Sequence, residues 1–575
     1  MKILLVSLNA SYMHTNLAIR DLKNYGDRHF EKKTDRPQIE LAEFTINQSV
    51  TEVLREIAFT GADWILFSTY IWNAEYVCKI LPEIKKLLPD CVLGAGGPEF
   101  GYGAQEYLEK FPSLDVIIFG EGELTFTELV EKVLEFSSEV DSVSFEKFKS
   151  QIKGIRGIYY REGNIQYTGD RDCIENLDAL PFPYPEIVAG STDPDHKIYY
   201  YESSRGCPFC CSYCLSSVDK RVRFKSFERT CEELQIFLDQ KVKLVKFVDR
   251  TYNLKEAHYL KIWEFILNHH NGKTMFHFEI EAEHLSQKAL DFLQRVPEGV
   301  MQFEMGIQSA NKKTLAAIHR STNVEELARK IRQLPSTIHQ HLDLIAGLPY
   351  EDLESFGQSY DFVMALKPDA LQLGFLKILR GTFMESYAQE NGWKWMETPV
   401  YETLSTPYLS FADMAFLKII ETVTDTYWNK GSFASTMNYI VRVTSPWSFF
   451  CGLVEYGRSV RAFLQARRES YWFELLCDFI LLENNTALDR ALDKSLMYDL
   501  LRYDFVRGGK KGNFPVWYKH HYNKDRHRDL LAQSGLLENS RIGFSITEYE
   551  VFDWNVQAEK PEEEKGHWEM LIRYK

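Results

Sequence analysis

Residues 203–217 read SSRGCPFCCSYCLSS and place four cysteines within eight positions: Cys207, Cys210, Cys211 and Cys214. Four thiolates in one short loop make either a closed zinc site or a closed iron–sulfur cluster. Three of them make a cluster with one iron left open for chemistry. Zinc sites commonly take two CxxC knuckles from separated segments that surround the ion. Here CPFC and CSYC abut, so Cys210 and Cys211 are neighbours. Adjacent side chains of an extended chain point to opposite faces, which makes a single four-thiolate cage awkward. Cys207, Cys211 and Cys214 alone give CxxxCxxC, and an iron without a protein ligand can chelate a small molecule.

A loop of this kind has to be held by a scaffold. From about 196 to 385 strand and helix signals alternate, with strands expected at KIYYYESS, VKLVKFVD, MFHFEIEAE, VMQFEMGIQ, HLDLIAGLP and ALQLGFLKIL. Six such repeats fit a partial (β/α)6 barrel of the TIM type, with chemistry at the carboxyl ends of the strands. Residues 1–135 alternate in the same way, through KILLVSL, IELAEF, DWILFST, CVLGAGG and DVIIFG. Short apolar strands between amphipathic helices imply a parallel, Rossmann-like sheet covered on both faces. Residues 136–195, with short β signals and the turn-rich LPFPYPE, read as a connector. From 386 to 575 the apolar spacing turns helical, which predicts a separate, mainly helical domain. The fold class is therefore multidomain α/β with a helical extension.

Composition narrows the function classes. A chain of 575 residues, 45% hydrophobic and 14% aromatic, builds several packed cores, and a net charge of −15 argues against a general nucleic-acid binder. Ten cysteines, clustered as they are, point to metal in a reducing compartment rather than to secreted disulfides. The opening MKILLVSLN is too short for a signal-peptide core, and no stretch approaches the ~20 apolar residues of a membrane span. A cytoplasmic protein without a membrane partner is expected.

CxxxCxxC directly after a strand, with Tyr213 before the last cysteine, resembles the radical S-adenosylmethionine (radical SAM) enzymes. The resemblance implies a [4Fe–4S] cluster on Cys207, Cys211 and Cys214, with Cys210 a bystander. It also implies S-adenosylmethionine on the open iron, cleaved to a 5′-deoxyadenosyl radical by an electron from a flavodoxin or ferredoxin. Tyr213 is then expected near the adenine. Asp249 and Arg250 in FVDRTYN, with Asn253, stand at the end of the second barrel strand; an arginine suits the ligand's carboxylate and an aspartate its ammonium or ribose. In FHFEIEAE, Glu279, Glu281 and Glu283 alternate and are predicted to share one strand face, with Glu281 chosen for ribose or amino contact. Gln308 in GIQSAN and the turns at Gly347 and Gly381 match the remaining strand ends.

The first domain takes its meaning from the same resemblance. Segments after its strands are similar to cobalamin-binding domains joined to radical SAM barrels, and they supply candidate contacts at Asn9, Ser68, Thr69, Gly96, Gly97, Pro98, Glu99, Gly120, Glu121 and Gly122. The glycine pair 96–97 is expected to let the backbone approach a bulky ligand closely. Cobalamin domains that ligate cobalt through histidine use D-x-H-x-x-G after the first strand. The corresponding stretch, Tyr12 to Leu17, lacks both the aspartate and the glycine, so His14 has no carboxylate at the motif position and is expected not to ligate.

What the resemblance implies for activity is a cobalamin-dependent radical SAM enzyme, foremost a methyltransferase (class B type) acting on an unactivated carbon of a small molecule. Rival readings are a cyclase or rearrangement enzyme with the same cofactors, an RNA-modifying enzyme, and a corrinoid or cluster-based sensor. The RNA reading rests on RYDFVRGGKKGNFPVWYKHHYNKDRHR (502–528), basic and aromatic in an acidic whole.

Overall fold

A computed structural model of the chain describes residues 1–137, 145, 149–190, 195–482, 485, 488–509, 514–536 and 540–574. Its internal contacts divide it into two compact units: Met1–Met305 with Ile318–His339 and Leu376–Leu404, and Gly306–Ala317 with Gln340–Phe375 and Ser405–Lys575.

The first unit opens with a seven-stranded sheet of order β2-β1-β3-β4-β5-β6-β7. Its parallel part is β1 (Lys2–Asn9), β2 (Gln38–Thr45), β3 (Trp64–Ser68), β4 (Val92–Gly96) and β5 (Val116–Ile118). Alternate residues of β1 enter opposite faces: Leu4, Val6 and Leu8 join one core, and Ile3 and Leu5 the other. β1, β3 and β4 are buried on both faces and largely apolar, whereas the edge strand β2 is mostly half-buried and carries Gln38, Glu40 and Glu43. The connecting helices begin where the sequence supplies caps. Asn16 accepts from Ile19 N at the start of helix Leu17–His29. Ser49 and Glu52 form a capping box at helix Val50–Thr60, which ends at Gly61 in the left-handed conformation. The short β signals of the expected connector have a definite place: β6 (Ile158–Glu162) and β7 (Asn164–Tyr167) extend this sheet as antiparallel strands beside β5.

The barrel part of the same unit follows. β8 (Ile198–Tyr201) leads into a two-residue pair, β9 (Ser204–Arg205) with β10 (Arg223–Phe224), which brackets the cysteine loop. The parallel strands β11 (Leu244–Phe247), β12 (Met275–Glu279) and β13 (Met301–Gln308) come next, with β11 between β8 and β12. Residues alternate buried and half-buried along β13 because one face packs under helices and the other lines the barrel. In the second unit β14 (His339–Ala346) pairs in parallel with β15 (Ala370–Phe375). The six strand–helix repeats in this order are those of a partial TIM-type barrel. A small pair, β16 (Lys394–Trp395) with β17 (Thr403–Ser405), closes this region.

Residues 405–575 are mainly helical, as expected, with one addition. β18 (Thr547–Trp554) and β19 (Lys565–Arg573) form a long antiparallel hairpin that the helical periodicity did not suggest. Among the described residues no helix is long and apolar enough to cross a membrane.

Candidate functional site

The cysteine loop is set by a glycine and by backbone ties. Gly206 has φ +93°, and a Cβ there would lie 2.3 Å from the Arg221 carbonyl oxygen, so only glycine makes this turn. Cys207 N donates to Asp219 O at 2.9 Å, Ser212 N to Ile318 O at 3.0 Å, and Met384 N to Ser212 O at 2.9 Å. Cys207 and Cys211 are buried, Cys214 is half-buried and Cys210 is exposed. Cys207, Cys211 and Cys214 do not gather into a set whose donor atoms all lie within 4.8 Å of one another, as ligands of a single ion would. Cys207 and Cys214 both lie near enough to Cys211 to act on it electrostatically, so the three thiols can share one cluster.

Around this loop the expected ligand contacts divide into committed and open groups. Asp249 is buried, and both its oxygens are taken: Oδ1 accepts from the Ser203 and Ser204 hydroxyls at 2.6 Å, and Oδ2 from Ser203 N at 3.0 Å. Burial pushes its carboxyl up to about 6 despite these bonds. Asp249 thus anchors the end of β8, and the ligand contact expected of it has no free oxygen. Its neighbour Arg250 is exposed; its carbonyl accepts from the Thr251 hydroxyl at 2.8 Å, and its guanidinium has no hydrogen-bond or ion-pair partner among the described residues. Glu279 is half-buried, its side chain likewise unpartnered among them; burial raises its pKa, and the nearby Arg250 charge opposes that rise.

The three-glutamate strand face needs correction. β12 stops at Glu279, and Glu281 caps a 3-10 turn, Ala282–His284. Asn253 holds that turn through two backbone bonds, giving Nδ2 to Glu281 O and accepting from Glu281 N, each 2.8 Å. The Glu281 carboxylate pairs with Arg320 at 2.6 Å, and Glu283 accepts from Asn323 N at 3.1 Å. Tyr213 is half-buried, and burial raises its hydroxyl pKa while the Arg320 charge beside it opposes the rise. In the second unit Gln308 sits at φ +68°, its buried Oε1 without a partner among the described residues.

Sequence reading missed the barrel-facing side chains below these ends. Lys246 on β11 and His277 on β12 both reach Glu304 Oε2 on β13, at 3.0 and 2.9 Å. These two partners hold the Glu304 carboxyl at about 2 although burial opposes them. The signal was present in LVKF, FHFE and FEMG: polar residues at period-two positions between apolar ones. Arg320 was missed for a different reason, since it lies on no recognisable motif.

At the carboxyl edge of the first sheet the candidate cobalamin residues also separate. Register places Ser7 beside Ser68, Ser68 beside Gly96 and Gly96 beside Ile118, so Asn9, Ser68, Gly96 and Gly120 come to one edge. The backbone is open at Gly120, where a Cβ would meet no heavy atom within 4 Å, whereas at Gly96 a Cβ would touch Ile118 O at 3.5 Å. Tyr12, Met13 and Trp72 are exposed in the loops beyond β1 and β3, and Trp72 stacks on Tyr70 at 4.3 Å. Gly97 behaves otherwise: its Cβ would lie 2.5 Å from Thr69 O, so its φ of +99° serves the chain's own close approach rather than a ligand's. Thr69 Oγ1 donates to Gly96 O at 2.8 Å and accepts from Phe100 N at 3.2 Å. Asn9 gives its amide to His14 O at 2.9 Å, and Ser68 accepts from Asn16 at 3.4 Å.

Pro98 starts the short helix Pro98–Tyr102, and Gly122 packs against Leu22. Glu99 turns away into a buried cluster, accepting from Tyr107 OH at 2.6 Å and from Tyr401 OH. Glu121 is held by Arg223 at 2.7 Å and by Ile174 N at 2.9 Å. His14 Nδ1 lies 2.7 Å from Tyr200 OH on β8, a partner the loop motif could not reveal.

These two edges belong to one compact unit and are stitched together beside the cysteines. Arg205, two residues before Cys207, pairs with Glu202 at 2.6 Å, Glu123 at 2.7 Å and Asp21 at 3.5 Å. Asp21 and Glu123 come from helices of the first sheet. Residues 9–130 match the B12 binding domain, and residues 201–363 match the Radical SAM superfamily. The chain thus carries a B12 binding domain followed by a Radical SAM domain, the pairing found in cobalamin-dependent radical SAM enzymes. Its cofactors are a [4Fe–4S] cluster, S-adenosylmethionine and cobalamin. Residues 389–571 match a protein family of unknown function, DUF4080.

Among similar proteins is an uncharacterised methyltransferase of Pyrococcus horikoshii, 26% identical over 56% of this chain and 67% of its own length. The cobalamin-dependent radical SAM methyltransferase TokK of Streptomyces tokunonensis is 26% identical over 51% of this chain, which spans 44% of TokK. The solved cobalamin-dependent S-adenosylmethionine radical enzyme OxsB with aqua-cobalamin has the same fold, with a TM-score of 0.57 at 15% identity over 95% of this chain and 84% of that one.

The residues present fit these groups. Three neighbouring thiols suit the cluster, the unpaired side chains of Arg250 and Glu279 suit a carboxylate and an ammonium, and the open backbone at Gly120 suits a large flat ligand.

In the DUF4080 region two arginines of the basic stretch are paired, while Lys519, Lys524 and Arg528 are exposed. Arg502 is buried, bonded to Glu550 and, at 3.1 Å, to Asp499; Arg526 pairs with Glu569; His527 is buried. Lys510 and Lys511 lie outside the described residues.

Proposed function

We propose that this enzyme is a methyltransferase that places a methyl group on an unactivated carbon of a small molecule. One observation carries the reading: the open edge of the cobalamin sheet and the three-thiol loop lie in a single compact unit, joined by Arg205. The Pyrococcus and Streptomyces relatives, both methyltransferases by name, support it. When bound, the cluster with S-adenosylmethionine supplies a hydrogen-abstracting radical, and cobalamin supplies the methyl group.

The chain's own work is holding and excluding. Arg250 takes the S-adenosylmethionine carboxylate and Glu279 its ammonium, while Asp249 and Asn253 keep the strand-end loops rigid. The exposed Tyr12, Met13 and Trp72 cover apolar ligand surface and keep water from it. A flavodoxin or ferredoxin delivers the electron.

The test is anaerobic reconstitution with cobalamin, iron and sulfide, followed by incubation with methyl-deuterated S-adenosylmethionine and extract from a strain lacking the gene. A metabolite that gains one labelled methylene equivalent supports the proposal. Turnover of a metabolite without label contradicts it and favours cyclisation or rearrangement. Salt-sensitive RNA binding by the same preparation would instead favour the RNA-modifying reading.

A further inference from the structure

Arg320 is the cation beside the cluster loop. Its Nη1 donates to Cys211 Sγ at 3.9 Å, and its Nη2 lies 2.6 Å from Glu281 Oε2. Both side chains are only 13% exposed. Glu281 cannot drift, because Asn253 clamps its backbone through two 2.8 Å bonds. The result is a fixed ordering: sulfur, then a positive charge, then a negative charge one step further away.

We propose that the Arg320–Glu281 pair sets the reduction potential of the cluster, with Arg320 raising it and Glu281 lowering it. The inference rests on Cys211 being a cluster ligand. One-electron reduction takes the cluster from the 2+ to the 1+ state and makes the cluster-and-thiolate unit more negative by one charge. A cation within hydrogen-bond reach of a ligating sulfur stabilises that added charge, and its N–H draws electron density from the thiolate. Poor solvent access keeps the effect from being screened. Glu281 acts oppositely from the far side of the guanidinium, so its influence is the smaller. Arg320 is thus a positioning and tuning residue, and no atom of it needs to touch substrate.

The test is an EPR-monitored redox titration with dithionite on anaerobically reconstituted full-length protein, without S-adenosylmethionine, after iron and sulfide analysis. Arg320→Gln is expected to shift the midpoint to lower potential, Arg320→Lys to shift it less, and Glu281→Gln to shift it upward. Opposite signs are the signature, since mere structural loosening moves both variants the same way. Should Arg320→Gln fail to hold a cluster, Arg320→Lys and Glu281→Gln carry the comparison. Midpoints equal to wild type in the variants that retain four irons, or shifts of the same sign, overturn the proposal. A wild-type protein that binds no cluster would instead defeat the cluster assignment itself.

Discussion

The strand ends around the cysteine loop and the DUF4080 region treat charge in opposite ways. At the strand ends the side chains of Arg250 and Glu279 stand without partners among the described residues, although each lies within electrostatic reach of the other. In residues 405–575 the buried Arg502 and Asp504 have partners. Arg502 meets Glu550 and Asp499, and Asp504 accepts from Ser435 N, Thr436 N and the Thr436 hydroxyl. A buried charge without its partners is costly, so a fully matched set marks architecture. Charges left unmatched at strand ends mark the place a ligand will satisfy. The difference teaches that Arg502, at the start of the basic run 502–528, holds the fold, whereas Arg250 and Glu279 are left for a ligand.

Substitutions can break this contrast or sharpen it. The largest effect is expected at the cysteines: Ala at Cys207, Cys211 or Cys214 should abolish cluster iron, whereas Cys210→Ala should keep it, as iron and sulfide assays would show. Loss of iron in Cys210→Ala would restore a four-ligand cage. Next, Arg502→Ala should destabilise by about 3–5 kcal/mol in urea titration, because Glu550 is left buried and unpaired. Arg250→Ala should change stability by less than about 0.5 kcal/mol yet weaken S-adenosylmethionine binding, read by equilibrium dialysis. If the two variants exchanged these outcomes, the contrast would collapse.

A subtler test lies at Glu351, fully buried in the second unit, where Oε1 accepts from Ser309 and Ser359 hydroxyls at 2.6 and 2.9 Å. Burial pushes this carboxyl up to about 7 from its ordinary 4.5. The folded protein therefore holds an extra proton between these values, and its stability falls as pH rises from about 4.5 through 7. Glu351→Gln should remove that slope and be more stable than wild type at pH 8 by up to about 3 kcal/mol, measured by urea melts at both ends of the range. Smallest of all, the exposed Arg526→Ala should leave the midpoint unchanged within error, because its ion pair with Glu569 is solvent-screened.

Much of this was legible in the sequence. The cysteine spacing, the strand–helix alternation and the apolar runs of β1, β3 and β4 each follow from local pattern, and the barrel and Rossmann-like sheet formed from them. What escaped needed information from distant residues. Gly97 was legible as a glycine needed for close approach, but only the fold shows that Thr69 is what approaches. Asp249 and Glu99 carried the right chemistry for a ligand and were claimed by Ser203, Ser204, Tyr107 and Tyr401 instead. Glu281 left the strand because the chain turns after Glu279. Arg320, 109 residues from Cys211, has no local signature at all. The β18–β19 hairpin escaped because helical spacing dominates the segment around it.

The most direct measurement of the central claim is 5′-deoxyadenosine formation by the anaerobically reconstituted, dithionite-reduced chain given S-adenosylmethionine. Wild type and Cys210→Ala should both produce it, and Cys211→Ala should not. A reconstituted wild-type protein that carries its full complement of iron and leaves S-adenosylmethionine intact would contradict the account.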